Sequence, residues 1–252
     1  MPSFTAHNIR LDNGELTYPD AGWLIADEPR CLSAKRVIRS IFPDGRNKRR
    51  IVDLGCLEGA YAVEFARMGI DSLGIEVRKS NFENCLYVKN NVNLLNLTFA
   101  NDDVWNLPKY GPFDIVYCNG LLYHLDRPAE FLHILSNECK KALILNTHFA
   151  TEVNHSNFVL SDLTENEGIP GRWFGEYDPG MNRDELDALK WASWNNSRSF
   201  WPLKEYIPQL LQDVGFDLVF EQFDHLGTDI YEGLTRGGYK TQCRAQFVAI
   251  KT

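Results

Sequence analysis

Apolar residues recur along the chain in two alternating patterns. Short runs rich in branched residues, at 51–54, 70–77, 97–99, 113–118, 141–147, 216–223 and 244–251, have the length and composition of buried strands. Longer segments at about 60–68, 80–90, 128–139 and 203–214 read as helices, the last despite Pro208, and Gly69 and Gly215 stand where two of them stop. A further helix is expected at about 28–41, ahead of the first strand. Strands alternating with helices predict an α/β layer structure around a parallel sheet. One interval breaks the rhythm. From about 150 to 201 the chain spends roughly fifty residues where a direct strand-to-helix connection needs only a few. The interval 224–242 is polar and Gly-rich, and is expected to be a flexible connection at the sheet edge.

The first strand leads into a turn with chemical content. In Ile51-Val-Asp-Leu-Gly-Cys-Leu-Glu-Gly-Ala60, Gly55 and Gly59 let the chain bend tightly against a ligand before a helix begins. The spacing excludes a dinucleotide turn, which wants a glycine two residues after the first. Asp53 and Glu58 repel phosphates and favour a cationic amine. Glu76, in Gly74-Ile-Glu-Val77 at the end of the second strand, is placed to accept hydrogen bonds from both hydroxyls of a ribose. S-adenosylmethionine fits that description.

The turn resembles motif I of the class I S-adenosylmethionine-dependent methyltransferases: an acidic residue, one residue, Gly, three residues, Gly. The resemblance implies a Rossmann-like, doubly wound α/β fold. Its sheet has seven strands, mostly parallel, with an antiparallel C-terminal strand and an insertion after strand five. It further implies one domain over 1–252, with 1–46 as an N-terminal cap over the cofactor mouth and 150–201 as a substrate-specificity insertion. Cofactor-binding roles fall on Asp53, Gly55, Cys56, Gly59 and Glu76. Ala100-Asn-Asp-Asp-Val-Trp-Asn-Leu107 resembles the family's adenine loop, which makes Asp103 and Val104 the adenine contacts and Asp102 a register-shifted alternative. The stretch 111–125 resembles motif IV, so Asn119, Gly120 and Leu121 flank the methionine moiety. Its Leu-Tyr-His-Leu ending is similar to the branch that includes tRNA wobble-uridine carboxymethyltransferases and many small-molecule O-methyltransferases.

Two histidines are candidates for a proton acceptor. His148 leaves strand five on the edge that faces the methyl acceptor in this family, and His124 follows strand four; an imidazole with a pKa of about 6.5 can take a proton from a hydroxyl or amine. Each also fits an ordinary satisfied turn position, and His155 is a weaker version of the same idea. Tyr123, Arg172, Trp173, Trp194 and Arg198 are candidates for substrate contacts, because aromatic faces with interleaved charges suit a ring-bearing or sugar-like ligand. The same residues equally suit a small satellite core.

Composition narrows the function. A chain of 252 residues with 44% apolar content is long enough to bury a full core. A net charge of −8 argues against a sequence-independent grip on nucleic acid. Six cysteines without a C-x-x-C pair predict free buried thiols rather than disulfides or zinc, and no metal is expected. No apolar run approaches the roughly 18 residues of a membrane span, and the N-terminus does not read as a signal peptide, so a cytoplasmic chain is expected. The resulting expectation is O-methylation of a small molecule or glycan precursor by in-line methyl transfer. The alternatives are a tRNA-modifying (carboxy)methyltransferase and a non-catalytic cofactor-binding scaffold subunit; a homodimer is compatible with the sequence.

Overall fold

Ile51 faces one side of the first strand while Val52 and Leu54 face the other, and that alternation sets the layers of the molecule. The computed structural model describes residues 2–154 and 157–252; His155 lies outside them. In chain order the elements are α1 (Pro29–Ile41), β1 (Arg50–Leu54), α2 (Ala60–Arg67), β2 (Asp71–Ile75), α3 (Lys79–Asn90), β3 (Leu97–Ala100), β4 (Phe113–Asn119), α4 (Pro128–Glu138) and β5 (Cys139–His148). There follow β6 (Thr164–Asn166), β7 (Ile169–Gly175), α5 (Arg183–Ala188), β8 (Arg198–Pro202), α6 (Tyr206–Asp213), β9 (Leu218–Glu221), α7 (Ile230–Thr235), α8 (Gly238–Thr241) and β10 (Arg244–Ile250).

Seven strands form one sheet in the order β3-β2-β1-β4-β5-β10-β9. Val52 pairs in parallel with Leu73 and Val116, whereas β10 runs antiparallel to both neighbours, Ala249 lying opposite Leu143 and Val219. Both faces are covered, as a parallel sheet requires. Ile51, Ile115, Ile144 and Val248 pack under Val37, Ile38, Phe65 and Val88 of α1, α2 and α3. Val52, Leu54, Val116, Leu143 and Phe247 pack under Phe131, Leu135, Ile207 and Leu211 of α4 and α6. Each such buried side chain contributes about 1.5–3 kcal/mol of transfer free energy. Pro208 is tolerated because it is the third residue of α6, where the N–H has no partner inside the helix.

The structure differs from the sequence expectation in two elements. Residues 224–242 hold a 3-10 turn (Asp224–Leu226) and two short α-helices, and Asp224 accepts hydrogen bonds from Ser33 Oγ and, at 2.6 Å, from Arg36 Nε, which ties the segment to α1. The long interval after β5 contains an antiparallel sheet of its own, β6-β7-β8. Its aromatic residues pair across strands: Trp173 lies opposite Phe200, with ring centres 5.1 Å apart. Trp201 is fully buried against Phe174, Phe158 and His148. This small core is attached to the main sheet by Ala150 N–H donating to Pro202 (2.8 Å), Phe200 N–H to Leu125 (2.9 Å) and Trp201 Nε1–H to Tyr123 (2.8 Å). All six cysteines are free and buried. Among the described residues no helix is long and apolar enough to cross a membrane, and no group of three His, Cys, Asp or Glu could hold a metal ion.

Candidate active site

The carboxyl ends of β1, β2 and β4 open onto a cavity of about 370 Å³. Its floor is the turn after β1, where Gly55 and Gly59 take φ values of +63° and +84° that other residues rarely adopt. Gly55 also gives Leu121 room, since a Cβ there would lie 3.2 Å from its Cδ1. Gly59 does not reach the cavity. A Cβ on it would stand 2.6 Å from the Phe99 ring, so this glycine seats the start of α2 against β3.

Two acids from the floor line the cavity. Glu76 directly follows β2 and accepts N–H bonds from Leu57 (2.9 Å) and Arg78 (2.7 Å), which fix its carboxylate; burial pushes its pKa up to about 7. Asp53 accepts from Ala62 N–H at 3.1 Å, and burial pushes it up to about 8. Glu58 behaves otherwise than expected from its place in the turn. Its two oxygens accept the N–H groups of Thr5, Ala6 and His7 at 2.9, 3.1 and 2.8 Å, so it anchors the N-terminal segment beside the cavity rather than facing a ligand amine.

Cys56, Asp103, Val104, Asn119, Gly120, Leu121, Tyr123, His124 and Trp194 also line the cavity. Asp103 caps the turn after β3 through Trp105 N–H (3.1 Å), and its other oxygen accepts from the Asn195 amide. Asn119 Oδ1 is buried with no partner among the described residues, and Gly120 turns the chain at φ +81°. His124 Nδ1 lies 3.0 Å from both oxygens of Glu176, a buried carboxylate that also accepts Ser193 N–H (2.9 Å) and Ser199 Oγ–H (2.6 Å).

Besides Gly59, five candidates from the sequence are not brought to the cavity. Asp102 is bound by Asn106, Tyr110 and Lys109 within its own turn. His148 stacks on Trp201 behind Tyr123, with Nδ1 2.6 Å from the Gln242 carbonyl; burial and then Arg244 lower its pKa to about 3. Arg172 spends its donors on the carbonyls of Thr151, Ser161 and Glu152. Trp173 and Arg198 stack on each other at 4.2 Å. These four side chains belong to the core of the insertion and its wall, the bland alternative for an aromatic and charged cluster.

Other lining residues carry no motif: His7, Glu28, Arg30, Tyr61, Arg78 and Arg244. Arg78 closes the roof. Its guanidinium donates to the carbonyls of Leu186 (2.9 Å), Ala192 and Ser193 (3.3 Å) and faces the Trp194 ring at 5.0 Å, which lays residues 190–196 over the cavity.

A family profile described as a methyltransferase domain matches residues 28–221. The chain belongs to the methyltransferase family. It is a class I, S-adenosylmethionine-dependent enzyme, and the cavity suits that cofactor: buried acids, positive-φ glycines where backbone meets ligand, and an unpartnered Asn119 oxygen. No curated protein sequence matches this methyltransferase. Among solved structures it is similar to the N-terminal domain of EvdMO1, crystallised in the presence of S-adenosylhomocysteine and D-fucose, at 22% identity, covering 90% of this chain and 84% of that one, with a TM-score of 0.64. The 1,6-didemethyltoxoflavin-N1-methyltransferase of Burkholderia thailandensis shares 13% identity over 94% of this chain and 84% of that one, with a TM-score of 0.57. For magnesium protoporphyrin IX methyltransferase from Synechocystis PCC 6803 the values are 16%, 89%, 80% and 0.51.

Proposed function

We propose that this methyltransferase methylates a hydroxyl oxygen of a small, sugar-like acceptor, with His124 receiving the hydroxyl proton. The observation that carries the reading is the His124–Glu176 pair in the cavity wall. With Nδ1 bound to a buried carboxylate, Nε2 is the basic nitrogen, and Glu176 stabilises the imidazolium that forms when the proton arrives. Bound S-adenosylmethionine supplies an electrophilic methyl group. The chain's own contribution is alignment, which can supply several kcal/mol by itself.

On this reading Glu76 receives the ribose hydroxyls, since each of its oxygens accepts one backbone N–H and keeps capacity for another donor. Asp103 and Val104 border the adenine, Asp53, Gly55 and Cys56 belong to the cofactor site, and Asn119, Gly120 and Leu121 flank the methionine moiety. Residues up to 46 act as a cap and residues 150–201 set specificity, with Tyr123 and Trp194 bordering the acceptor space. The D-fucose named with the EvdMO1 domain supports a sugar-like acceptor. The scaffold alternative needs the acceptor space filled by the protein's own aromatics, whereas a cavity lined by Tyr123 and His124 speaks for an acceptor.

The test is release of S-adenosylhomocysteine with a panel of sugars and hydroxylated small molecules. His124→Gln is expected to lower kcat by about 10²–10⁴-fold with S-adenosylhomocysteine affinity retained. Undiminished turnover in His124→Gln would remove histidine from the proposal.

A further inference from the structure

Arg244 opens β10, beyond β5 in the sheet, whereas the proposed cofactor residues stand on β2, β1 and β4. It therefore belongs to the acceptor side. Its side chain reaches back across β5: Nε donates to Asn146 Oδ1 at 2.6 Å, and the guanidinium stands 5.5 Å from the Tyr123 ring centre. Nη2 lies 3.1 Å from where a Cβ on Gly120 would be, so the missing side chain of Gly120 is what lets the guanidinium approach the end of β4.

Arg30 lines the same cavity but is neutralised by Glu28 at 2.5 Å. Arg244 is not. Among the described residues no carboxylate lies within ion-pair distance of Arg244, and neither Nη1 nor Nη2 donates a hydrogen bond. A half-buried guanidinium that faces a cavity without a counter-ion is completed by a ligand that brings the anion. Burial and nearby Arg30 both lower its pKa, as expected of a cation short of negative charge. A planar fork with both Nη groups free matches a carboxylate, which accepts two parallel N–H bonds.

We propose that the acceptor carries a carboxylate, bound by Arg244 next to the hydroxyl that receives the methyl group. The substrate class is a hydroxylated carboxylic acid, of which a uronic acid is the sugar-like form. The inference rests on the hydroxyl-methylation reading and names its substrate.

Protein loaded with S-adenosylhomocysteine is titrated with D-galacturonate and D-glucuronate, and with neutral D-galactose and D-glucose. The uronates are expected to bind at least about tenfold more tightly, Arg244→Gln to abolish the difference, and Arg244→Lys to restore part of it. Affinity for S-adenosylhomocysteine is expected to stay within about twofold in both variants. Equal binding of acids and neutral sugars, or no uronate binding by the loaded wild type, overturns the inference and leaves the methyltransferase assignment standing. Loss of S-adenosylhomocysteine binding in Arg244→Gln overturns it too, by giving the guanidinium to the methionine carboxylate. So does wild-type preference for a carboxylated S-adenosylmethionine, which would put the carboxylate on the transferred group. A wild type that never binds S-adenosylhomocysteine contradicts the earlier reading instead. The wild-type comparison of acids with neutral sugars decides the matter even where Arg244→Gln does not fold.

Discussion

Glu76 and Asp53 are carboxyl groups held out of water, with pKa values pushed to about 7 and about 8. A ribose hydroxyl donates more strongly to the ionised form, so binding of S-adenosylhomocysteine is expected to tighten by about tenfold from pH 6 to pH 8 and to lose that dependence in Glu76→Gln. Titration calorimetry across that range checks it; a flat wild-type profile contradicts it. The cofactor-free protein should show the opposite trend in stability. Both acids have folded-state values above their ordinary ones, so the folded protein keeps protons that the unfolded chain has released. Their contribution is complete at low pH and is lost as pH rises through about 7 to 8. His7 and His148, lowered by burial to about 4 and about 3, remove stability only below their ordinary value of about 6.5. The melting temperature without cofactor should therefore fall between about pH 6.5 and pH 8, and Asp53→Asn should flatten the slope. Gly55 and Glu76 were legible in the sequence because a turn and a strand end fix their positions locally. Arg244 was not, nor was the pairing of Glu176 with His124, since each meets the site across a long stretch of chain that no short-range pattern encodes.

The elements divide in the same way. Strand periodicity gave every strand of the main sheet to within two residues at each end, the second stopping at Ile75 and β9 being confined to Leu218–Glu221. The small sheet β6-β7-β8 was hidden, because aromatic residues that line a pocket and aromatic residues that pack a core give the same composition. Its architecture makes a prediction. Trp201→Ala should cost about 3–5 kcal/mol by opening a cavity among Phe158, Phe174 and His148. Arg172→Ala should cost about 1.5–3 kcal/mol by leaving the carbonyls of Thr151, Glu152 and Ser161 without their charged donor. Thermal unfolding measures both, and S-adenosylhomocysteine affinity should change little in Arg172→Ala. A specific loss of ligand binding at unchanged stability would return Arg172 to the site. Arg78 ties the end of β2 to three carbonyls of residues 186–193, beside the ion pair of Lys190 with Glu58 at 3.7 Å, so Arg78→Ala is expected to speed proteolytic cleavage there.

At the scale of the whole molecule, the sheet order decides what each end of the cavity is for. A chain that runs β3-β2-β1-β4 brings Asp103, Glu76, Gly55 and Asn119 into one line, and the antiparallel β10 adds Arg244 beyond it. The insertion then folds back so that Glu176 reaches His124 and Asn195 reaches Asp103. On the proposed reading the cofactor residues all come from the first half of the chain, whereas the acceptor side joins Tyr123 and His124 to Glu176, Trp194 and Arg244 of the second; the first half is the part whose motifs were readable. The most direct test of the account is turnover with S-adenosylmethionine carrying a ¹³C-labelled methyl group and a panel of hydroxylated acceptors, followed by NMR of the product. A methyl signal bonded to oxygen that depends on His124 is expected. A methyl signal on nitrogen or carbon, or one undiminished in His124→Gln, would contradict it.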